Sequence, residues 1–582
     1  MAAHNFLSEF PPVSTEQWES LIRENTKGAD YASKLIWHPE EGLAVRPYYR
    51  ADDLAGLRFA DSVPGEFPFV RGARPSGGWR IREKIDISDS EEANRAACAA
   101  VMAGAEEIAF SGSTIENSSG LALLLANLNE IPVCFAGLGN KQARIIVERL
   151  QKRSHGAEIS GDIDPLADTD FSADLIRDLS PGFRPFVIDA DAFHERGAGA
   201  IEEIGFALAA AVDFVVEMQE RGLNVDRIAS SLCFSFAMGP DFFIQIAKLR
   251  AFRMVWAKAI ESFGGIYAAG RTPIHANTAR WNETIYDAHV NILRATTEVI
   301  SAILGGADSI SAGPFDECYK QPDESSRRLA RNTQIVLKQE ALLSRVADPL
   351  GGAYLVEALT SSIASKAWKS FQELETAGGY RKAIAGGVMA SVLERRTSLR
   401  EQAAASRRRV LTGTNRFADA SEKEPEGSDA SRVNSGPRVA EAFEHLRLRT
   451  EGFEKRTGKQ PRILLAEIGD ARMRSARSQF SADFLACAGL VSRKQQFESA
   501  WQIAGCDADL LVLCSSDAEY LALAGELLPK MRERGCLATV VIAGNPDTTE
   551  DLRSLGITEF IHLRSNAVEV LSRLQQQIGI GE

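Results

Sequence analysis

Between residues 79 and 376, short apolar runs alternate with longer stretches of helical periodicity, and this pattern limits the fold more than anything else in the chain. Parallel strands need a crossover of a dozen or more residues between them, usually a helix, so such alternation reads as repeated strand–helix units. The strand candidates are 79–86, 107–112, 132–137, 185–190, 230–236, 266–271, 308–312 and 343–347, with helix candidates at 90–104, 241–263, 284–305 and 323–341. Eight strands, each followed by a helix, is the count of a (β/α)8 barrel. In FFIQIAKLRAFRMVWAKAI, Phe243, Ile246, Leu249, Phe252 and Val255/Trp256 recur at helical spacing and predict one buried stripe.

The flanks read differently. Residues 1–60 resemble an extended arm: Pro11-Pro12 halts regular structure, and Ser14 with Glu16 and Gln17 opens a short capped helix. Trp37, Tyr48 and Tyr49 are aromatic anchors there, for packing on the main domain or wrapping a second subunit. The stretch 406–440 is rich in Ser, Gly, Pro and charge and reads as a mobile linker. From 461, strand-like runs at 462–469, 509–516, 537–544 and 559–565 resume the alternation on a smaller scale. The expected fold class is α/β. An arm (1–60) precedes a TIM barrel (61–400), a linker (401–460) and a doubly wound, flavodoxin-like domain (461–582).

Composition narrows the function. A net charge of −13 argues against a nucleic-acid binder, which needs a clustered basic face. The eight cysteines stand singly, without C-x-x-C pairs, as expected of a protein in a reducing compartment. No secretory signal and no run of about 18 apolar residues is visible, so a cytoplasmic address without membrane contact is expected.

Generic motifs carry little. Gly137-Leu138-Gly139 follows an apolar run, but the third glycine of a dinucleotide fingerprint is Gln142, and Gly161-Asp162 reads as a turn rather than an acid closing a strand. There is no Walker loop, H-E-x-x-H or G-x-S-x-G, and the histidines show no metal-ligand spacing. His275 falls just after a strand candidate, where barrels build their sites, and is open to a structural or a functional role. Asp348-Pro349 reads as closing the last strand, with Gly351-Gly352 allowing a tight turn.

Several stretches are similar to the methylmalonyl-CoA mutase family: GLNVDRIASSLCFSFAMGPDFFIQIAKLRAFRMVWAK (222–258), ISAGPFDE (310–317) with RRLARNTQIVLKQE (327–340), VADPLGGAYLVEALT (346–360) and VLTGTNRF (410–417). FPPVSTEQWESLI and RPYYRADDL resemble the family's smaller, non-catalytic subunits. The resemblance implies a coenzyme A-threading barrel followed by a cobalamin-binding domain. It also implies a radical interconversion of methylmalonyl-CoA and succinyl-CoA, in which adenosylcobalamin carries the difficult chemistry.

Carried over residue by residue, the same resemblance implies a site that is missing here. Cobalamin-binding members have a D-x-H-x-x-G loop whose His ligates cobalt and whose Asp orients it. In ILLAEIGDARMRSA those positions are Ala471, Met473 and Ala476, and a supporting lysine corresponds to Glu467. The Tyr-His pair that holds the thioester and migrating group in active members, after the fourth strand candidate, corresponds to Asp191 and Ala192, with His194 two residues too late. The tyrosine that gates the radical pair corresponds to Lys84, the loop before Trp79 is shortened, and no arginine matches the substrate-carboxylate binder.

The expectation is a degenerate small subunit. Its partner, a large catalytic subunit in a heterodimer, would hold adenosylcobalamin and the acyl-CoA. The alternatives are a self-sufficient acyl-CoA mutase using Asp191, His194 or His275, and a chaperone-like binder. Side chains such as Phe234 or Phe236 are expected to plug the bore, while Ser515, Ser516 and Gly544 leave residual binding of the cofactor tail open.

Overall fold

The computed structural model describes residues 13–87, 89–112, 117–137, 139–152, 157–179, 182–433 and 437–581. Pro11-Pro12, Leu138 and 434–436 lie outside them. Eight parallel strands close a barrel in chain order: β1 (Arg80–Asp86), β2 (Glu107–Ser111), β3 (Val133–Ala136), β4 (Ile159–Ile163), β5 (Phe183–Asp189), β6 (Leu232–Met238), β7 (Ile274–Thr278) and β8 (Ser309–Ser311). A second, five-stranded parallel sheet has the order β10-β9-β11-β12-β13, from β9 (Ile463–Glu467), β10 (Ser492–Gln496), β11 (Leu510–Cys514), β12 (Thr539–Ile542) and β13 (Glu559–Phe560).

The expected count of eight is right, but two of its members are wrong. Residues 266–271 form a single turn of 3-10 helix at Tyr267–Gly270, and the strand lies just beyond, at Ile274–Thr278. Residues 343–347 contain only the turn Leu343–Arg345, so Asp348 closes no strand. Its carboxylate instead accepts from Arg250 and lies 3.6 Å from Arg71. The missing strand is β4, where Gly161-Asp162 read as a turn in the sequence. Both residues are held extended because β3 and β5 pair on either side, and tertiary pairing overrides their weak strand propensity.

On one flank the long helices Ala200–Glu220, Phe242–Ser262 and Tyr354–Thr376 pack together. The expected single stripe on Phe242–Ser262 is too narrow. Phe243 is exposed, while Lys248, Arg250 and Arg253 are buried on the other faces. Each buried cation has a partner: Lys248 Nζ lies 2.7 Å from Glu203, Arg250 2.8 Å from Glu357 and Arg253 2.7 Å from Asp308. Removing one member of such a pair leaves an uncompensated buried charge.

The polar stretch expected to be mobile is a strap across the barrel. Arg409 pairs with Glu40 and Asp241, Glu422 accepts from the backbone N–H of Asp287, and Val439 donates its N–H to the Trp281 carbonyl. Its charges found partners on the barrel, which composition cannot foresee. In the arm, Ser14 and Gln17 form the expected capping box and Trp18 packs on Tyr48 at 5.6 Å. The arm helix Thr15–Asn25 buries none of its residues, leaving Trp18 45% and Leu21 55% exposed.

Candidate functional site

Residues paired across neighbouring parallel strands share a face of the sheet. Register sets Lys84 beside Ala109, Ala109 beside Cys134 and Cys134 beside Ser160. On the opposite arc Ser235 pairs with His275, and His275 with Ser309. Small side chains therefore dominate the bore. Phe234 and Phe236 have the other parity: Phe234 lies 4.5 Å from Phe252 and 5.0 Å from Trp256, and Phe236 4.7 Å from Phe252. The expected aromatic plug is thus corrected, because these rings anchor the helix outside the barrel. The base of the bore holds ionic side chains instead, with Arg82 Nε donating to Glu107 at 3.0 Å and Arg80 bridging Glu107 and Glu158, each at 2.9 Å.

At the mouth Lys84 lies within electrostatic reach of Asp189, Asp191 and Glu317. Asp191 opens the short helix Asp191–Glu195 after β5, so this segment follows the fifth strand rather than the fourth. Asn277 Nδ2 donates to Asp191 Oδ2 and to Ser235 Oγ, each at 3.0 Å. Asn277 Oδ1 lies 3.1 Å from His275 Nε2, and His275 Nδ1 lies 2.9 Å from Ser309 Oγ. His275 is therefore within a strand, not after one, and burial holds it well below the usual imidazole range, with Arg82 and Lys84 adding to the effect. Burial, then Asp189 and Glu195, push the Asp191 carboxyl well up. Burial also raises Glu195 to about 7. Ala192 offers only an exposed methyl.

His194 faces away from the mouth. Trp281 Nε1 donates to His194 Nε2 at 2.6 Å, and Nδ1 sits 3.5 Å from Glu203. Burial lowers it to about 4, which makes it a neutral structural imidazole. Carboxyl groups gather around Lys84 at the mouth, and burial favours their neutral form.

In the second sheet β9 ends at Glu467, and Gly469 takes φ +77° to turn the chain. Asp470 then caps the helix Ala471–Ala486 by accepting from the Met473 N–H at 2.7 Å. Ala471, Met473 and Ala476 are therefore helical, the two alanines exposed and Met473 half-buried. Glu467 accepts from the Ser478 hydroxyl. Neither an imidazole nor an orienting carboxylate stands at these positions, so the donor set does not fit a ligand for a corrin's cobalt.

Sequence reasoning missed Glu519. Its carboxylate accepts from Ser515 Oγ at 2.7 Å, Ser516 Oγ at 2.6 Å, Ser516 N at 3.1 Å and Asp470 N at 3.2 Å. Hydrogen bonds from Ser516 and Ser515 lead the effects that lower it to about 2. The Ser516-x-x-Glu519 spacing is a capping-box signature and could have revealed it. Both serines left open for a cofactor tail are thus engaged, and Gly544 is hemmed in by Asp517, Tyr520 and Arg477.

Comparison with known proteins agrees with this architecture. A sequence model of the methylmalonyl-CoA mutase family matches residues 38–115 and 164–460. The chain is 34% identical to a methylmalonyl-CoA mutase small subunit of Porphyromonas gingivalis and 32% identical to one of Streptomyces virginiae, covering 98% of both chains in each case. It is 30% identical to a methylmalonyl-CoA mutase of Rhizobium meliloti, over 69% of this chain and 64% of that one. A closed eight-stranded barrel, a separate parallel sheet and a family match over most of the chain lead to one conclusion: this protein belongs to the methylmalonyl-CoA mutase family.

Proposed function

We propose that this chain is the small, non-catalytic subunit of an adenosylcobalamin-dependent methylmalonyl-CoA mutase. It supports a larger chain that holds the cofactor and interconverts methylmalonyl-CoA and succinyl-CoA. One observation carries the reading: the positions that touch substrate or cobalt in active members hold the wrong chemistry at both ends. Lys84, Asp191 and Ala192 stand at the barrel mouth, and Glu467, Ala471, Met473 and Ala476 beside β9. Catalysis needs the cobalt cradle and the substrate clamps in register, and a chain lacking both has no partial route. The exposed Trp18 and Leu21 on the arm support a subunit contact. An obligate interface of this kind buries more than about 2,000 Å². Free cysteines, and the lack among the described residues of a helix long and apolar enough to cross a membrane, accord with a cytoplasmic assignment.

The small-residue bore favours the rival reading, a chain that acts on an acyl-CoA alone. Turnover separates the two. With adenosylcobalamin and methylmalonyl-CoA, the purified chain is expected to be inactive and the pair active, with the large chain alone inactive or poorly soluble. Turnover by this chain alone, or a fully active monomeric large chain, would sink the proposal.

A further inference from the structure

Beside the barrel mouth, outside the bore, lies a groove of about 850 Å³ between the arm at Trp37, the helix Val388–Ala405 and the strap at 408–412. That volume is within the range of small-molecule sites.

In a chain of net charge −13 this groove is cationic. Four arginines line it, of which Arg396 is paired with Glu202 and Arg409 with Glu40 and Asp241. The other two form no salt bridge among the described residues, and Glu298, Asp287 and Glu283 act on Arg294 only at longer range. Arg294 donates only to neutral acceptors: Asn291 Oδ1 at 2.6 Å, the Thr412 carbonyl at 2.8 Å and Thr284 Oγ1 at 3.0 Å. Arg408 gives its Nε to Ser406 Oγ at 3.0 Å. Among the described residues neither has a carboxylate within 4.0 Å.

The rest of the lining suits a planar, partly apolar body. Trp37 is 43% exposed, and Leu399 and Val410 are also exposed. Asn282 Nδ2 donates to Glu298 at 2.8 Å, which leaves its Oδ1, on a residue only 4% exposed, without a donor. A buried acceptor of that kind is costly unless something donates to it.

We propose that this groove binds an organic phosphate of nucleotide size, a phosphate monoester carrying a planar ring with an amino group. A monoester carries about −1.5 to −2 charge at neutral pH, matching the guanidinium groups of Arg294 and Arg408, whose planar forks suit phosphate oxygens. The ring lies against Trp37 and its amine donates to Asn282. The site is independent of the subunit reading and of the bore.

The test is calorimetric titration of the full chain, alone and with its large partner, using AMP, inorganic phosphate and adenosine. AMP is expected to bind at least about 10-fold more tightly than either fragment. Arg408→Gln and Arg294→Gln should each weaken AMP about 10-fold, as the loss of a charge-assisted hydrogen bond does. Trp37→Ala should reduce AMP to the level of phosphate. Arg408 is exposed and bonded only to Ser406, so its variant should keep the parent unfolding temperature. Equal binding of AMP and phosphate, or no effect of Arg408→Gln, would mean an adventitious anion only. Loss of AMP binding in the two-chain complex would mean that the partner fills the groove. Either result overturns the proposal.

Discussion

Along the bore, Ala109, Cys134, Ser160 and Ser309 still present small side chains, and the unusual feature is the charge at the mouth, where Lys84 stands among Asp189, Asp191 and Glu317. In the second sheet the reverse holds. The backbone pattern of parallel strands is intact, but Glu519 reaches across and engages both serines and Asp470. The barrel mouth holds carboxyls that burial disfavours as anions. The sheet closed its space with a carboxylate that four hydrogen bonds favour as an anion. A buried carboxyl without enough partners is a strain on the fold, whereas one held by its own hydrogen bonds becomes part of what holds the fold together.

The largest effect that would sharpen this contrast is expected inside the barrel wall. Lys248→Ala leaves Glu203 fully buried without its cation and should cost about 3–5 kcal/mol. In amide hydrogen exchange, β1–β8 should lose protection while β9–β13 keep theirs. Equal loss in both would show one cooperative unit and break the comparison.

A smaller effect is expected in the sheet. The folded-state value of Glu519 is about 2, below the ordinary 4.5. Its contribution is therefore present above pH 4.5 and is lost as pH falls through 2. Glu519→Gln should destabilise by about 1 kcal/mol at pH 7, the carboxylate being partly solvent-screened. Thermal unfolding of variant and parent should converge near pH 2, and a difference that persists there would point to packing instead of charge.

The third effect has the opposite sign. Glu195 is raised to about 7 from 4.5, so stability is fully present below pH 4.5 and is lost as pH rises through 7. Glu195→Gln should match the parent at pH 4.5 and exceed it by up to about 3 kcal/mol at pH 8. A constant offset across pH would show that ionisation at the mouth is not the strain inferred here.

Much of the fold was legible because alternation and helix caps are local. Strands β1, β2, β3, β5, β6 and β8, the Ser14 cap and four of the five strands after residue 461 follow from neighbouring residues, whereas β10, the polar edge strand Ser-Arg-Lys-Gln-Gln, carries no apolar signal and was missed. The failures share one cause. Strand β4 exists because two neighbours pair with Ile-Ser-Gly-Asp-Ile, and β7 lies past an apolar segment that only looks like a strand. The strap over 406–433 is tied to the barrel because its charged residues meet Glu40, Asp241 and the Asp287 backbone, all distant in sequence.

What the sequence determined by itself is chemical identity: a methyl at 471, a thioether at 473, an ammonium at 84 and a carboxyl at 191 cannot be altered by folding. Direction and company were decided only in three dimensions. Parity around a closed barrel turned Phe234 and Phe236 outward, the loops after β5 and β7 buried His194 against Trp281, and the pairing of β9 with β11 brought Glu519 to Asp470 across 49 residues. The physical reason is that a side chain's facing follows from the register of strands far apart in sequence, and that register is set by the packing of the whole sheet.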